Sequence, residues 1–142
     1  MTTEFGTQLI GQTEKALNAI LDRQLAGTGI TEPQWVTLTL TVRAGAPLPG
    51  DTLAARVAAA TKVDRSEAHD RLTELTTAGL IQENADGTVT PTERGKAQWT
   101  TVRASIETIT ADLWGDLPAP DLTTAATVLT TVLQRANTLL SA

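Results

Sequence analysis

Apolar residues recur at intervals of three and four positions near both ends of the chain, which is the pattern of amphipathic helices. The first run predicts a helix over Glu4–Ala26, a second predicts a long helix from Thr92 to about Leu113, and a third predicts a last helix from Leu122. Their apolar positions are Phe5, Leu9, Leu17, Ile20, Leu21 and Leu25; Trp99, Val102, Ile106, Ile109 and Leu113; and Ala126, Leu129, Val132, Leu133, Ala136 and Leu140. These stripes are too long for one small domain to cover, so we expect two copies of the chain to pair along them.

Shorter patterns between these runs predict three more helices. Thr31 is a helix cap with Pro33 in the first turn, and this start favours a helix, although the β-branched run 36–42 also fits a strand. A third helix is predicted over Asp51–Thr61, and Asp64 caps a fourth that Gly79 ends. The stretch 45–50, GAPLPG, is a break before the third helix.

A β-hairpin follows the fourth helix. Leu80 and Ile81 open a short strand, the pair Asp86-Gly87 is typical of a tight turn, and Val89 lies on the return strand. The predicted fold is therefore mainly α with a small β-hairpin wing. Helices followed by a capped helix and a hairpin are the pattern of a winged helix-turn-helix.

Composition narrows the class of protein. The 142 residues suffice for one domain or one subunit of an oligomer. The net charge of −5 argues against a protein that binds nucleic acid or membrane surfaces non-specifically. The absence of cysteine excludes disulfides and thiolate chemistry, and a single histidine, His69, makes a metal site improbable. With no signal peptide, no apolar run of membrane-spanning length and no catalytic constellation, we expect a cytoplasmic protein that is not an enzyme and needs no cofactor.

Four stretches carry a family resemblance: ITEPQW (Ile30–Trp35), LAARV (Leu53–Val57), VDRSEAHDRLTELTTAGLI (Val63–Ile81) and VTPTERGKA (Val89–Ala97). In this order the chain resembles the MarR family of winged-helix transcriptional regulators over nearly its whole length. The resemblance implies an N-terminal dimerisation helix over 1–30, a winged helix-turn-helix domain over 31–95 and C-terminal dimerisation helices over 96–142. It also implies a homodimer on double-stranded DNA, with the fourth helix in the major groove, the wings in the minor grooves, and a small ligand that relieves regulation.

The chain departs from the family pattern in its charge. From Asp51 to Glu93 it carries four basic and eight acidic residues, and the wing sequence ENADGTVT has no lysine or arginine. Spacing predicts that Arg71 pairs with Glu67, which would keep Arg71 from DNA. The stretch 53–64 is also longer than its family counterpart, so we expect an extended turn between the third and fourth helices.

Candidate DNA contacts cluster at the start of the fourth helix. Arg65 suits a guanine or a phosphate, while Ser66 and His69 suit either partner, although a plain surface role for His69 remains open. Asp70 either points to solvent or accepts from a cytosine amino group. Lys62 flanks the helix, and Thr88 offers an uncharged phosphate contact from the wing.

The tryptophans suggest a ligand pocket. Trp35, Leu38, Trp99 and Val102 are predicted to wall a pocket for a small apolar ligand between the second and fifth helices, and the alternative is ordinary core packing. Arg43 or Arg103 would suit an acidic ligand.

Two functions from different classes fit this sequence. The first is a homodimeric, sequence-specific DNA-binding transcriptional regulator that responds to a ligand. The second is a winged-helix dimer without DNA binding that serves as a ligand-binding or protein-interaction module, and the acidic fourth helix and bare wing support it. A purely structural helical adaptor is a weaker third possibility.

Overall fold

The computed structural model describes residues 3–142, and within them the chain forms six helices and three short strands. The elements are α1 (Thr7–Leu25), α2 (Glu32–Arg43), β1 (Leu48–Pro49), α3 (Gly50–Thr61), α4 (Arg65–Thr77), β2 (Ile81–Glu83), β3 (Thr88–Pro91), α5 (Glu93–Trp114) and α6 (Ala119–Ser141). The chain divides into two compact units, the first ending at Ile106 and the second spanning Glu107–Ala142. The prediction of a mainly α fold with a small wing is confirmed.

A complete capping box starts α2. The Thr31 hydroxyl accepts from the backbone N–H of Gln34 at 3.4 Å, and the Gln34 side chain accepts from the backbone N–H of Thr31 at 3.0 Å. These bonds satisfy two helix-end donors reciprocally. The β-branched run that follows is therefore helical, as the cap predicted.

The cap of α4 is also confirmed. The Asp64 carboxylate accepts from the backbone N–H of Glu67 at 2.8 Å, and Gly79 adopts a φ of 77° just after the helix. The expected long turn before α4 is wrong, because only residues 62–64 separate it from α3. Lys62 reverses the chain there with a left-handed φ of 57°, and the additional residues lie within α3.

The hydrophobic core of the first unit lies where α2, α3 and α4 pack on one another and on the sheet. Leu38, Leu53 and Val57 are fully buried at its centre, and Leu72 and Leu75 anchor α4. The rest of the core is Leu25, Ile30, Trp35, Ala54, Ala68, Leu80, Ile81, Val89 and Val102. Because α4 buries only one stripe, its other side faces solvent.

The sheet has the order β1-β3-β2, with both pairs antiparallel. The predicted hairpin is β2 and β3, and Gly87 supplies the positive φ of 83° that its turn requires. The strand β1 was not predicted: it pairs Leu48 with Val89 inside the stretch interpreted as a break. A two-residue edge strand that contains Pro49 has neither the length nor the alternation that would reveal it.

The second unit exposes its apolar residues. No residue in 107–142 is buried, and α6 starts at Ala119, three positions before the predicted Leu122, with prolines 118 and 120 flanking its first residue. The large exposed apolar side chains of this unit are Leu113, Trp114, Leu117, Val128, Leu129, Val132, Leu133, Leu139 and Leu140. Even so, none of the helices in the described part of the chain is long and apolar enough to cross a membrane.

Candidate DNA-binding surface

The solvent-facing side of α4 forms the candidate surface. Ser66, Asp70, Thr73 and Thr77 follow one another at helical spacing opposite the buried stripe, and all four are exposed. Three hydroxyls and one carboxylate therefore form the outer face of the helix. These groups can form hydrogen bonds with base edges, and none of them carries a positive charge.

The N-terminal end of α4 carries the basic candidates, beside the carboxylates of Asp64 and Glu67. Arg65 and Ser66 occupy its first turn and are exposed, and exposed Lys62 lies just before it at the end of α3. A helix N-terminus attracts phosphate through its free N–H groups and dipole. The structure thus brings three of the six predicted DNA contacts to one end of the helix.

His69 lies one turn further along and contacts α3. Its Nε2 atom is 3.3 Å from a carboxylate oxygen of Asp51, and its side chain is 46% exposed. This contact ties the middle of α4 to the start of α3. Sequence reasoning missed it because the two residues belong to different helices.

Arg71 is bound to a different acid from the one predicted. Its Nε and Nη2 atoms donate to the two carboxylate oxygens of Glu74, each at 2.9 Å, so the expected pair with Glu67 is wrong. Glu74 also accepts from the Gln34 side-chain amide at 2.9 Å. The Gln34 bond first, and the Arg71 bond second, hold the pKa of Glu74 below its ordinary value.

This lowered pKa predicts a pH-dependent contribution to stability. A group whose pKa is depressed by folding stabilises the native state above its unfolded-state pKa, and this contribution is lost as the pH falls through the native pKa. Because the Glu74 side chain is 40% exposed, we expect Glu74→Gln to reduce the free energy of unfolding by only about 0.5 kcal/mol at neutral pH. Urea titrations at about pH 7 and about pH 3 should show this difference disappearing in acid. An equal difference at both pH values would contradict the assignment.

The wing forms its own polar network. The backbone N–H and the hydroxyl of Thr88 donate to one carboxylate oxygen of Asp86, at 3.0 and 2.6 Å, and Asn84 donates to the same hydroxyl at 3.1 Å. The bond from the Thr88 hydroxyl first, and the bond from the Thr88 backbone N–H second, lower the pKa of Asp86. The predicted phosphate contact of Thr88 therefore competes with bonds inside the turn.

A groove of about 520 Å³ separates α4 from the wing. Its lining includes Pro49, Asp51, His69, Thr73, Thr76 and Glu83. Its charged groups are thus mainly acidic. The sequence did not suggest this groove, because its walls come from three separate stretches of chain.

The residues predicted to wall a ligand pocket lie together in the core. Trp35, Leu38 and Val102 are buried. Trp99 is half-buried and stacks on Trp35 with ring centroids 6.2 Å apart, and its indole N–H donates to Thr39 at 3.0 Å. In this structure the rings cover each other, and the pocket stays a prediction.

Sequence comparison alone gives no relative: neither a protein-family model nor a curated protein matches the chain. Comparison of the fold finds many similar solved structures. The chain is similar to CouR from Rhodococcus jostii RHA1, solved with p-coumaroyl-CoA bound, at 16% identity and a TM-score of 0.76, over 88% of this chain and 89% of that one. It is similar to the reduced form of MarR from E. coli at 20% identity and a TM-score of 0.69, over 93% and 96% of the two chains.

A third similar structure contains DNA. It is a MarR-family protein from Mycobacterium tuberculosis in complex with DNA, with 21% identity, a TM-score of 0.68, and coverage of 92% of this chain and 98% of that one. The similarity spans both compact units of the chain. The fold of this chain is therefore the winged-helix fold of the MarR-family transcriptional regulators.

Proposed function

We propose that this protein is a cytoplasmic, homodimeric transcriptional regulator that binds double-stranded DNA through α4. The observation that carries the proposal is the exposed outer face of α4, a firmly capped helix beside a wing, in a fold shared with a protein solved on DNA. An α-helix fits the major groove of B-DNA, where each base pair presents its own pattern of donors and acceptors.

The start of α4 supplies the contacts that we expect to matter most. Arg65 binds a guanine or a phosphate, and Ser66 and the helix N-terminus fix the backbone beside it. Lys62 adds a phosphate contact at the same end. Further along the helix, His69 and Asp70 face base edges, Asp70 accepting from a cytosine amino group.

The exposed apolar residues of the second unit support the homodimer. α6 has no buried residue, yet six of its Leu and Val side chains are among the large exposed apolar residues of the chain. A second copy of the chain with the same stripe would cover them isologously. Phe5 and Leu9, near the start of the first unit, are exposed as well and suit the same role.

The ligand response is proposed from the ligands of two similar proteins. The similar proteins include one solved with p-coumaroyl-CoA and a M. tuberculosis MarR-family protein solved with p-aminosalicylic acid. In this chain a small apolar or acidic ligand would have to enter beside the Trp35–Trp99 stack. Quenching of tryptophan fluorescence by aromatic acids would detect such binding, and no quenching at millimolar concentrations would contradict it.

Arg65→Ala tests DNA binding directly. We expect a loss of affinity of about five- to 150-fold for the protein's own upstream DNA, because an arginine contact to a base contributes about 1–3 kcal/mol. Fluorescence anisotropy at about 50 and 200 mM salt measures this loss against a shuffled duplex. The matched control is Arg23→Ala, which removes an exposed arginine from the last turn of α1 and should leave the affinity unchanged.

The same titration separates the two candidate functions. Sequence-dependent binding that Arg65→Ala abolishes supports the regulator. A wild-type dimer that binds neither duplex at the lower salt overturns it and favours a winged-helix module without DNA, which the acidic excess around α4 would then explain.

A further inference from the structure

Arg71 lies on a flank of α4, beside the outer face rather than within it. Its side chain is 27% exposed, and it lies about 100° around the helix from Asp70 of the outer face and one turn before the buried Leu75. A helix in the major groove has the two sugar-phosphate backbones along its flanks, so flank residues are the ones that reach phosphates. An arginine there is well placed to add a phosphate contact.

In this structure the guanidinium of Arg71 is bound to the carboxylate of Glu74. Its two donors to Glu74 form a bidentate pair, the strongest common arrangement between an arginine and a carboxylate. Two of the five N–H donors of the guanidinium bind this carboxylate, whose negative charge offsets the positive charge of Arg71. The arginine therefore adds little to the positive potential that phosphates would meet.

Glu74 is itself held in place from α2. The Gln34 side-chain N–H donates to the carboxylate at 2.9 Å, while the other end of the same amide accepts from the backbone N–H of Thr31 at 3.0 Å. The capping box of α2 thus fixes Gln34, and Gln34 fixes Glu74. The Glu74 carboxylate is ionised at neutral pH at its ordinary pKa, and the Gln34 and Arg71 bonds lower that pKa further.

We propose that Glu74 is a positioning residue that holds Arg71 away from the DNA backbone and so limits the affinity of α4 for DNA. The inference rests on the proposed function, because it assigns a role within DNA binding. Neutralising Glu74 while keeping its size removes the carboxylate that holds Arg71 in this structure, and we expect the guanidinium then to reach a phosphate. In a homodimer this happens once per subunit.

The test compares Glu74→Gln with Glu67→Gln on the protein's own upstream DNA. Both changes remove one negative charge from α4, but Glu67 is not the partner of Arg71, so it is the matched control. We expect Glu74→Gln to bind about tenfold more tightly than wild type. The slope of log affinity against log salt should steepen by about 0.9 for each new phosphate contact, hence by about 1.8 per dimer. Glu67→Gln should gain about twofold, with the slope unchanged.

A double variant shows whether the gain passes through Arg71. Adding Arg71→Gln to Glu74→Gln removes one charge of each sign, so both the affinity and the slope should return to those of wild type. A gain that persists in the double variant, or equal gains for Glu74→Gln and Glu67→Gln, would overturn the proposal. A purely structural role of Glu74 would lower the affinity without steepening the slope, and this result also overturns it.

The outcomes separate this inference from the proposed function. If wild type binds its upstream DNA and Glu74→Gln gains nothing, only the role of Glu74 fails. If neither protein binds at about 50 mM salt while both melt cooperatively, both proposals fail. If Glu74→Gln binds where wild type does not, the proposed function fails for the native chain, while the restraint by the Glu74 carboxylate holds.

Discussion

Gly95→Ala is expected to cost at least about 3 kcal/mol in the free energy of unfolding. A Cβ atom at this position would lie 1.9 Å from the carbonyl oxygen of Leu80 and 2.8 Å from its carbonyl carbon. That oxygen accepts from the backbone N–H of Thr92 at 3.0 Å, so it cannot move away without breaking the start of α5. The atoms that obstruct the added Cβ all belong to the backbone of Leu80, so no side-chain rotation relieves the clash.

The control is the same substitution in an open helix. Gly11 lies in α1, and a Cβ there would meet none of the atoms that the structure describes within 4 Å. Gly11→Ala should therefore stabilise the protein by up to about 1 kcal/mol through helix propensity. Urea unfolding followed by tryptophan fluorescence measures both variants. If Gly95→Ala unfolds within about 1 kcal/mol of wild type, α5 does not approach Leu80 as closely as the structure shows.

Local signals in the sequence were sufficient to place the helices because their causes are local. The caps at Thr31 and Asp64 each bond a backbone N–H three residues away, and both were predicted. The long helix was predicted to begin at Thr92, and the Thr92 hydroxyl caps it by accepting from the backbone N–H of Gly95 at 3.0 Å. The stretch VTPTERGKA, which carries part of the family resemblance, thus contains a tight helix start packed on Leu80.

Long-range contacts could not be predicted in this way. Gln34 and Glu74 are 40 positions apart, and nothing in either local pattern connects them. Helical spacing allowed Arg71 to pair with Glu67 or with Glu74, at four or three residues. The structure pairs it with the acid that a second helix holds in place, which the spacing alone could not decide.

In the candidate DNA-binding surface, too, the features with local causes were predicted and the long-range contacts were not. The cluster of Lys62, Arg65 and Ser66 follows from the cap of α4, so the sequence placed it correctly in space. The hydrogen bonds of Thr88 within the wing and the contact of His69 with Asp51 depend on the folded sheet and on α3.

The proposed homodimer is inferred from α6, which is rich in Leu and Val although none of its residues is buried within one chain. Leu129, Val132 and Leu133 lie on one side of the helix at spacings of three and four, and all three are among the large exposed apolar residues. Each would contribute about 1.5–3 kcal/mol if fully buried, so leaving the stripe in water would be costly. In the proposed homodimer, burial against a second copy would remove that cost.

Leu133→Glu is therefore expected to convert a dimer of twice the 15.0 kDa chain mass into a monomer. The Leu133 side chain is 56% exposed within one chain, so glutamate should leave the chain folded, whereas it would place two buried carboxylates at a two-fold interface. Light scattering after size exclusion measures the mass, and anisotropy should show at least a tenfold loss of affinity for DNA, because the two α4 helices no longer bind as one unit. Thr127→Glu, on the opposite side of α6, adds the same charge and should stay dimeric. A wild-type protein that elutes at the mass of one chain would refute the interface, and so would a Leu133→Glu dimer as stable as that of Thr127→Glu.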